Sequence, residues 1–204
     1  MGDPTEAGGI NWRNTHERYG AVSMALHWTI VLLFLALYVL AYWVKYTTGY
    51  ESEMGELHLY LHKPFGLAVL GLAVIRLWWR SVNVEPPLPN AMPASHKLMA
   101  HWTHWALYAV MFVQPLAGVS MDVFRGRAVE ILGTSIFPVV MEKNDYLAKH
   151  YSDMLHNDYM DWIIAVIIAA HAGAALKHHF IDKDDVLTRM LPAWAGGKRG
   201  NHQH

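Results

Sequence analysis

The stretch DWIIAVIIAAHAGAALKHHF, residues 161–180, decides the fold class because it is long and apolar enough to cross a membrane. A helix needs about 20 mainly apolar residues to span roughly 30 Å of hydrocarbon. His171 nevertheless lies in the interior of this run. An imidazole in hydrocarbon is unfavourable unless a partner satisfies it, so an ionisable residue there indicates a functional site. The rest of the chain has to supply that partner.

Three further windows have the same length and apolar character, so the sequence predicts four transmembrane helices. Tryptophan and tyrosine cluster near the ends of these windows, as in interfacial aromatic belts. Polar tails over 1–20 and 182–204 flank a membrane domain of 21–181. We therefore predict an all-α membrane protein, a four-helix transmembrane bundle with spans at about 26–44, 59–79, 99–121 and 159–180.

The distribution of basic residues predicts the orientation of the bundle. Four crossings place both termini on one side, and that side carries 10 of the 16 lysines and arginines. Because cytoplasmic loops carry an excess of lysine and arginine, both termini are predicted to be cytoplasmic.

Two prolines and one connection add detail to this topology. Pro64 is predicted in the first turn of the second span, where its missing N–H costs little, and Pro115 inside the third, where it favours a kink. The connection 122–158 contains ILGTSIFPVV, which is apolar but too short to cross. We expect it to lie on the bundle or at the outer interface as a cap.

Charge and cysteine content exclude several classes of protein and site. A net charge of −1 offers no basic surface for nucleic acid. The chain has no cysteine, which excludes disulfides, thiolate zinc sites, cysteine-held iron–sulfur clusters and haem attached through C-x-x-C-H. Histidine, with 14 copies, is the ligating residue that remains.

The histidines near the membrane fall into two levels. Those at the predicted cytoplasmic level are His27, His101, His104, His171, His178 and His179. Those at the outer level are His58, His62 and His156. His156 and His171 are 15 positions apart. On one continuous helix they would stand roughly 22 Å apart along the axis and only about 60° apart around it, so one helix could serve two centres.

Two neutral imidazoles that face each other from adjacent helices suit the axial positions of a haem in a helical bundle. Zinc would normally take more protein ligands, including the cysteines or carboxylates that are scarce near these histidines. Pairing by level gives His27 with His171 on the cytoplasmic side and His62 with His156 on the outer side. His101 and His104 stay open as alternative inner ligands or as hydrogen-bond partners of a quinone, and His58 as a substitute for His62.

Other residues near the two levels suit the macrocycle and its propionates. Guanidinium and ammonium groups stabilise anionic propionates, and the candidates include Arg18 and Arg76 on the inner side and Lys63 on the outer side. The glycines that would let a flat ring approach the backbone are Gly66, Gly71 and Gly173.

Four segments of the chain together resemble the prokaryotic cytochrome b561 family in order and spacing. They are RYGAVSMALHW (18–28), YLHKPFGLAVLGLAVIRLWWR (60–80), MAHWTHWALYAVMFVQPLAG (99–118) and HAGAALKHHFIDKDDVLTRMLP (171–192). The resemblance implies a multi-pass protein of the bacterial inner membrane with two non-covalent b haems, ligated by His27, His62, His156 and His171. Related sequences often carry W-H-E where this chain has Leu155, His156 and Asn157.

The resemblance also implies partners and an activity. Besides membrane lipids, quinone is the expected partner, and some members of the family oxidise superoxide and reduce ubiquinone. Superoxide or an electron-donor protein is therefore the expected donor, and the chain would be an oxidoreductase if it acts alone. The alternatives are a haem b anchor subunit of a multisubunit hydrogenase or formate dehydrogenase, and a histidine-lined metal transporter.

Overall fold

The computed structural model describes residues 10–149, 153–156 and 158–196. Four of its helices are long and apolar enough to cross a membrane, which confirms the predicted four-helix membrane architecture. They are α1 (Ala21–Trp43, continued by a π-helical turn at Val44–Thr48), α2 (Glu53–Ser81), α3 (Ala94–Phe124) and α6 (Asp158–Lys177, continued by a π-helical turn at His178–Asp182). Short helices α4 (Asp145–Leu147) and α5 (Asp153–Leu155) precede α6.

The bundle has two distinct ends. The end where α1 starts, α2 meets α3 and α6 finishes is called the termini end. The opposite end is called the hairpin end, because β1 (Val129–Ile131) and β2 (Thr134–Phe137) form an antiparallel hairpin there between α3 and α6. Val129 is buried against the helices, so this part of the connection lies on the bundle, as expected of a cap.

The long helices extend beyond the predicted apolar windows. Helix α2 begins six residues before the predicted span, and the Ser52 side chain caps it by accepting a hydrogen bond from the Gly55 N–H at 3.1 Å. A side-chain cap satisfies an otherwise free N–H, so the helix can begin in a polar segment that hydropathy does not mark. The placement of Pro64 in a first turn was therefore wrong, because Pro64 lies in the interior of α2.

His156 is not on the helix that carries His171. The structure places it at a bend between α5 and the start of α6 at Asp158, so the assumption of one continuous helix through both histidines was wrong. The bend frees the His156 ring from helical geometry and lets it turn towards α2.

A small apolar cluster holds the middle of the bundle together. It joins Ile30 of α1, Val69 and Ala73 of α2, and Tyr108 and Met111 of α3. Many other large apolar side chains on these helices are exposed, such as Leu32 with 64% of its surface accessible. Because lipid tails are as apolar as leucine, helices in a membrane leave such side chains facing outward.

The described parts of both predicted tails pack on the termini end. The Asn14 side chain is buried, accepts hydrogen bonds from the Gly20 N–H at 2.9 Å and the Ser23 hydroxyl at 2.6 Å, and donates to the Val84 carbonyl at 2.8 Å. The Trp28 indole donates to the carbonyl of Met190 at 2.9 Å. The N-terminal segment, the α2–α3 connection and the C-terminal segment therefore form one cap.

Candidate functional site

At the hairpin end, His62 and His156 bring two imidazole nitrogens face to face. Their Nε2 atoms are 3.4 Å apart, and the ring centroids lie 5.7 Å apart with an interplanar angle of 88°. Both rings line a cavity of about 650 Å³ between the helices, which we call the hairpin-end cavity. The structure therefore juxtaposes the two histidines that the sequence pairs at this level.

The hydrogen bond of His156 fixes which of its nitrogens can bind a metal. Its Nδ1 lies 3.0 Å from the carbonyl oxygen of Gln114. A carbonyl only accepts, so Nδ1 carries the proton and donates, and the Nε2 lone pair is directed towards His62. Burial lowers the pKa of His156, although this hydrogen bond and the nearby Asp161 oppose the shift. The ring is therefore neutral near pH 7, the form that ligates metals.

The geometry at this end fits a metal held between two imidazoles. Metal–imidazole bonds of about 2.0–2.1 Å would place two opposite nitrogens about 4 Å apart, close to the separation observed. Gly66, one helical turn after His62, lines the same cavity, and a Cβ built on it would meet no atom within 4 Å. A Cβ on Gly118 would instead lie 3.2 Å from Cε1 of His156, so this glycine makes room for the ligating ring.

His58 lies one turn from His62 on α2 and lines the same cavity. It is buried, its Nδ1 has no hydrogen-bond partner, and its ring centroid is 4.9 Å from that of His62. The structure places His62 and not His58 directly opposite His156. The geometry therefore favours His62 over His58 as the partner of His156.

At the termini end, three imidazoles come together. The His171 ring centroid lies 6.2 Å from that of His27 on α1 and 5.4 Å from that of His104 on α3. His101 is exposed, and its ring packs against those of Trp102 and Trp105 and not against His171 or His27 among the described ring contacts. The structure thus separates the two α3 histidines that the sequence left equivalent, and brings only His104 into the cluster.

The cations predicted near the two levels have different surroundings. Lys63 donates from Nζ to Oδ2 of Asp122 at 2.6 Å, and Nε of Arg127 lies 3.8 Å from the other carboxylate oxygen. Asp122 is only 7% exposed, so it is a buried carboxylate between the cations Lys63 and Arg127. Sequence reasoning missed it, although a lone acid that ends the apolar run LAGVSM was a signal for a buried ion pair.

The two arginines predicted at the other level lie at the termini end. Arg76 is close enough to His27, His104 and His171 to interact electrostatically with each of them. Arg18 donates from Nη2 to the Leu191 carbonyl at 3.5 Å and so contributes to the cap. Arg76 is therefore the better placed of the two for an anionic group of a cofactor.

Comparison with known proteins gives one family over nearly the whole chain. The family model described as prokaryotic cytochrome b561 matches residues 18–193. Cytochrome b561 homolog 2 of Escherichia coli strain K12 is 33% identical over 186 residues, which cover 89% of this chain and 95% of that protein. Cytochrome b561 homolog 1 of the same organism is 31% identical, with 86% and 98% covered. A Yersinia pestis protein named "Probable superoxide oxidase CybB" is 28% identical, with 89% and 99% covered.

Proposed function

The chain belongs to the prokaryotic cytochrome b561 family and is a multi-pass haem b protein of electron transfer in the bacterial inner membrane, and on that premise we propose that it binds two b haems. One would be held by His62 and His156 at the hairpin end and the other by His27 and His171 at the termini end. We further propose that it oxidises superoxide on one side of the membrane and reduces quinone. Haem would supply the one-electron carrier.

The face-to-face arrangement of the His62 and His156 Nε2 atoms carries this proposal. Two imidazole nitrogens from different elements, 3.4 Å apart on a cavity wall, would hold a metal between them, which a structural histidine pair does not require. The Gln114 carbonyl supports the assignment because it orients the His156 ring, as outer-shell hydrogen bonds orient metal-bound imidazoles.

At the termini end, His171 is common to both possible pairs, and the resemblance to the family implies His27 as its partner. His27 and His171 are on helices α1 and α6, while His104 is on α3. Arg76 lies near all three rings and would hold the anionic edge of the cofactor. His104 then stands beside the ligated ring as a neighbour that can donate or accept a hydrogen bond.

Superoxide is the donor that the observations favour. The Yersinia pestis relative, which is matched over 99% of its length, is named as a probable superoxide oxidase. Four cationic side chains line the hairpin-end cavity, and their positive potential would draw a small anion towards it. They are Lys45, Lys63, Arg125 and Arg127. Asp122 and other acids nearby reduce this potential, so the attraction is expected to be moderate.

Quinone is the proposed acceptor, at the termini end. Two superoxide anions would each lose one electron to become dioxygen, and two electrons with two protons would convert one quinone to quinol. A lipid-soluble acceptor can approach through the bilayer to a bundle whose helices expose apolar side chains on all sides.

Haem quantitation tests the first part of the proposal. A reduced-minus-oxidised absorption spectrum with pyridine-haemochrome analysis should give two b haems per chain. One haem per chain would overturn the pairing of ligands at two levels, and a colourless purified protein would overturn haem binding and favour a metal transporter.

A second experiment tests the donor and the acceptor. Superoxide generated enzymatically should reduce the purified cytochrome and, with a ubiquinone analogue, form quinol faster than superoxide alone does. The rate should fall as salt screens the cavity cations. Arg127→Gln should slow the reaction with superoxide more than Lys177→Gln, which removes the same charge at the termini end. A haem spectrum that superoxide leaves oxidised would refute the donor, and copurification of a dehydrogenase subunit would then favour the anchor-subunit alternative.

A further inference from the structure

An exposed apolar strip lies at the hairpin end, outside the four membrane-crossing helices. Its members lie in the hairpin and the residues after it, and each exposes about half or more of its surface. The strip consists of Leu132 (53%), Ile136 (54%), Phe137 (45%), Val139 (57%) and Val140 (56%). Contiguous exposed apolar residues are rare on surfaces that face water and mark a contact with a membrane or another molecule.

A basic pocket of about 480 Å³ also lies at the hairpin end, and its two lysines follow the strip in the sequence. The side chains that line it are Arg125, Arg127, Lys143, Lys149, Asp145 and Ala148. Four cations thus face one carboxylate, and that carboxylate is paired with Lys143 at 2.8 Å. Val140 is three residues from Lys143, so the apolar strip and the pocket are close along the chain.

The pocket is built from well-packed backbone. Gly126 has a φ of 65°, and a Cβ there would lie 2.9 Å from the backbone nitrogen of Lys143, so the two segments make a close contact that requires glycine. The Asn144 N–H donates to the Phe124 carbonyl at 2.8 Å, and the Asn144 side chain accepts from the Leu147 N–H at 3.0 Å. The segment that carries Lys143 is therefore held beside the segment that carries Arg125 and Arg127.

The position of the pocket at a helix end indicates its occupant. Arg125 directly follows the last residue of α3, Phe124, so the pocket lies at the end of a helix long enough to cross a membrane, where lipid headgroups are expected. Arginine and lysine form charge-assisted hydrogen bonds with phosphate oxygens. Apolar side chains beside such cations enter the boundary between headgroups and acyl chains. A soluble anion would use the cations but would gain nothing from the strip.

We propose that the basic pocket and the apolar strip bind one anionic phospholipid, with its phosphate among the four cations and its acyl chains along the strip. This site contains none of the proposed haem ligands, and it shares Arg125 and Arg127 with the hairpin-end cavity. Binding would fix the hairpin in the leaflet on its side of the membrane.

Lipid retention by the full-length holoprotein tests the proposal. The detergent-purified protein is mixed with phosphatidylglycerol or with phosphatidylcholine of identical acyl chains, and the bound lipid is counted by native mass spectrometry. Phosphatidylglycerol should be retained in preference. Lys149→Gln should weaken its binding about fivefold, the effect typical of one cation near an anionic lipid surface. Lys45→Gln, which removes a hairpin-end cation outside the pocket, should change it by less than twofold.

Two further measurements separate lipid from a free anion. Replacing Val139 and Val140 by serine should also weaken retention, and an excess of inorganic phosphate should displace little of the bound lipid. Equal retention of the two lipids, equal effects of the two lysine variants, or full displacement by phosphate would each overturn the proposal. An unchanged haem spectrum in every variant confirms that the fold is intact.

Discussion

The ammonium group of Lys63 lies 2.6 Å from the buried carboxylate of Asp122. This pair links α2 to α3 one residue after His62, so a charge pair stands beside a proposed haem ligand. The two charges nearly cancel in their effect on the nearby site. Removing Asp122 leaves Lys63 and Arg127 without their carboxylate, whereas removing Lys63 leaves Asp122 with Arg127 at 3.8 Å.

Asp122→Asn and Lys63→Met should therefore move the midpoint potential of the hairpin-end haem in opposite directions. Removing the carboxylate leaves excess positive charge, which favours the reduced iron and raises the potential, whereas removing the ammonium lowers it. A charge interaction of about 1 kcal/mol corresponds to roughly 40 mV for a one-electron couple. Spectroelectrochemical titration measures the shift. Shifts of the same sign in both variants would mean that the pair acts only through structure.

His62→Ala should remove one of the two haems while His58→Ala keeps both. His62 faces Nε2 of His156, and His58 lies one turn away in the same cavity without facing it. Pyridine-haemochrome analysis of the purified variants reports the ratio of haem to protein. If His58→Ala lost the haem and His62→Ala retained it, the ligand at this end would be His58.

His171→Ala and His27→Ala should each remove the termini-end haem, while His104→Ala should retain it with a shifted spectrum. His171 lies within 6.2 Å, centroid to centroid, of both other rings, so this series decides which of the two is its partner. Low-temperature spectra resolve the remaining haem. His101→Ala is the matched control because His101 is exposed and lies one turn away on α3. Haem loss in His104→Ala with retention in His27→Ala would reassign the pair.

Asn14→Ala should lower the thermal stability of the termini end. The Asn14 side chain makes three hydrogen bonds, and its loss leaves the buried Gly20 N–H without this partner. Each buried group left unsatisfied costs about 1–3 kcal/mol. Thermal unfolding in detergent measures the change. Thr15→Ala, at an exposed neighbour that bonds only within its own turn, should change the midpoint little; equal losses in both variants would contradict the role given to Asn14.

Apolar runs predicted much of this fold, because the membrane imposes one length and one kind of helix on every crossing. Four helices follow from that constraint alone. The ends of α2 could not be predicted in the same way, because the Ser52 cap acts through a local hydrogen bond that a hydropathy window does not detect.

The sequence predicted the arrangement of histidines more completely at the hairpin end than at the termini end. The sequence placed His62 and His156 at the same membrane level and paired them, and the structure brings their rings together. The bend before α6 was not predicted. At the termini end, His101 and His104 look equivalent in sequence, and only the rotation of α3 directs one inward and the other outward. The rotation of a helix about its own axis depends on its packing against neighbouring helices, and a single sequence contains little information about that packing.

The cap at the termini end has a consequence for biogenesis. Asn14 holds the α2–α3 connection through Val84, and Trp28 holds the C-terminal segment through Met190. These contacts join segments that leave the ribosome at different times. Trp28 and Met190, for example, are 162 residues apart in the sequence. All four helices therefore have to be inserted before the cap can close completely, and an insertion intermediate that lacks α6 would leave the Trp28 side of the termini end open to quality-control proteases.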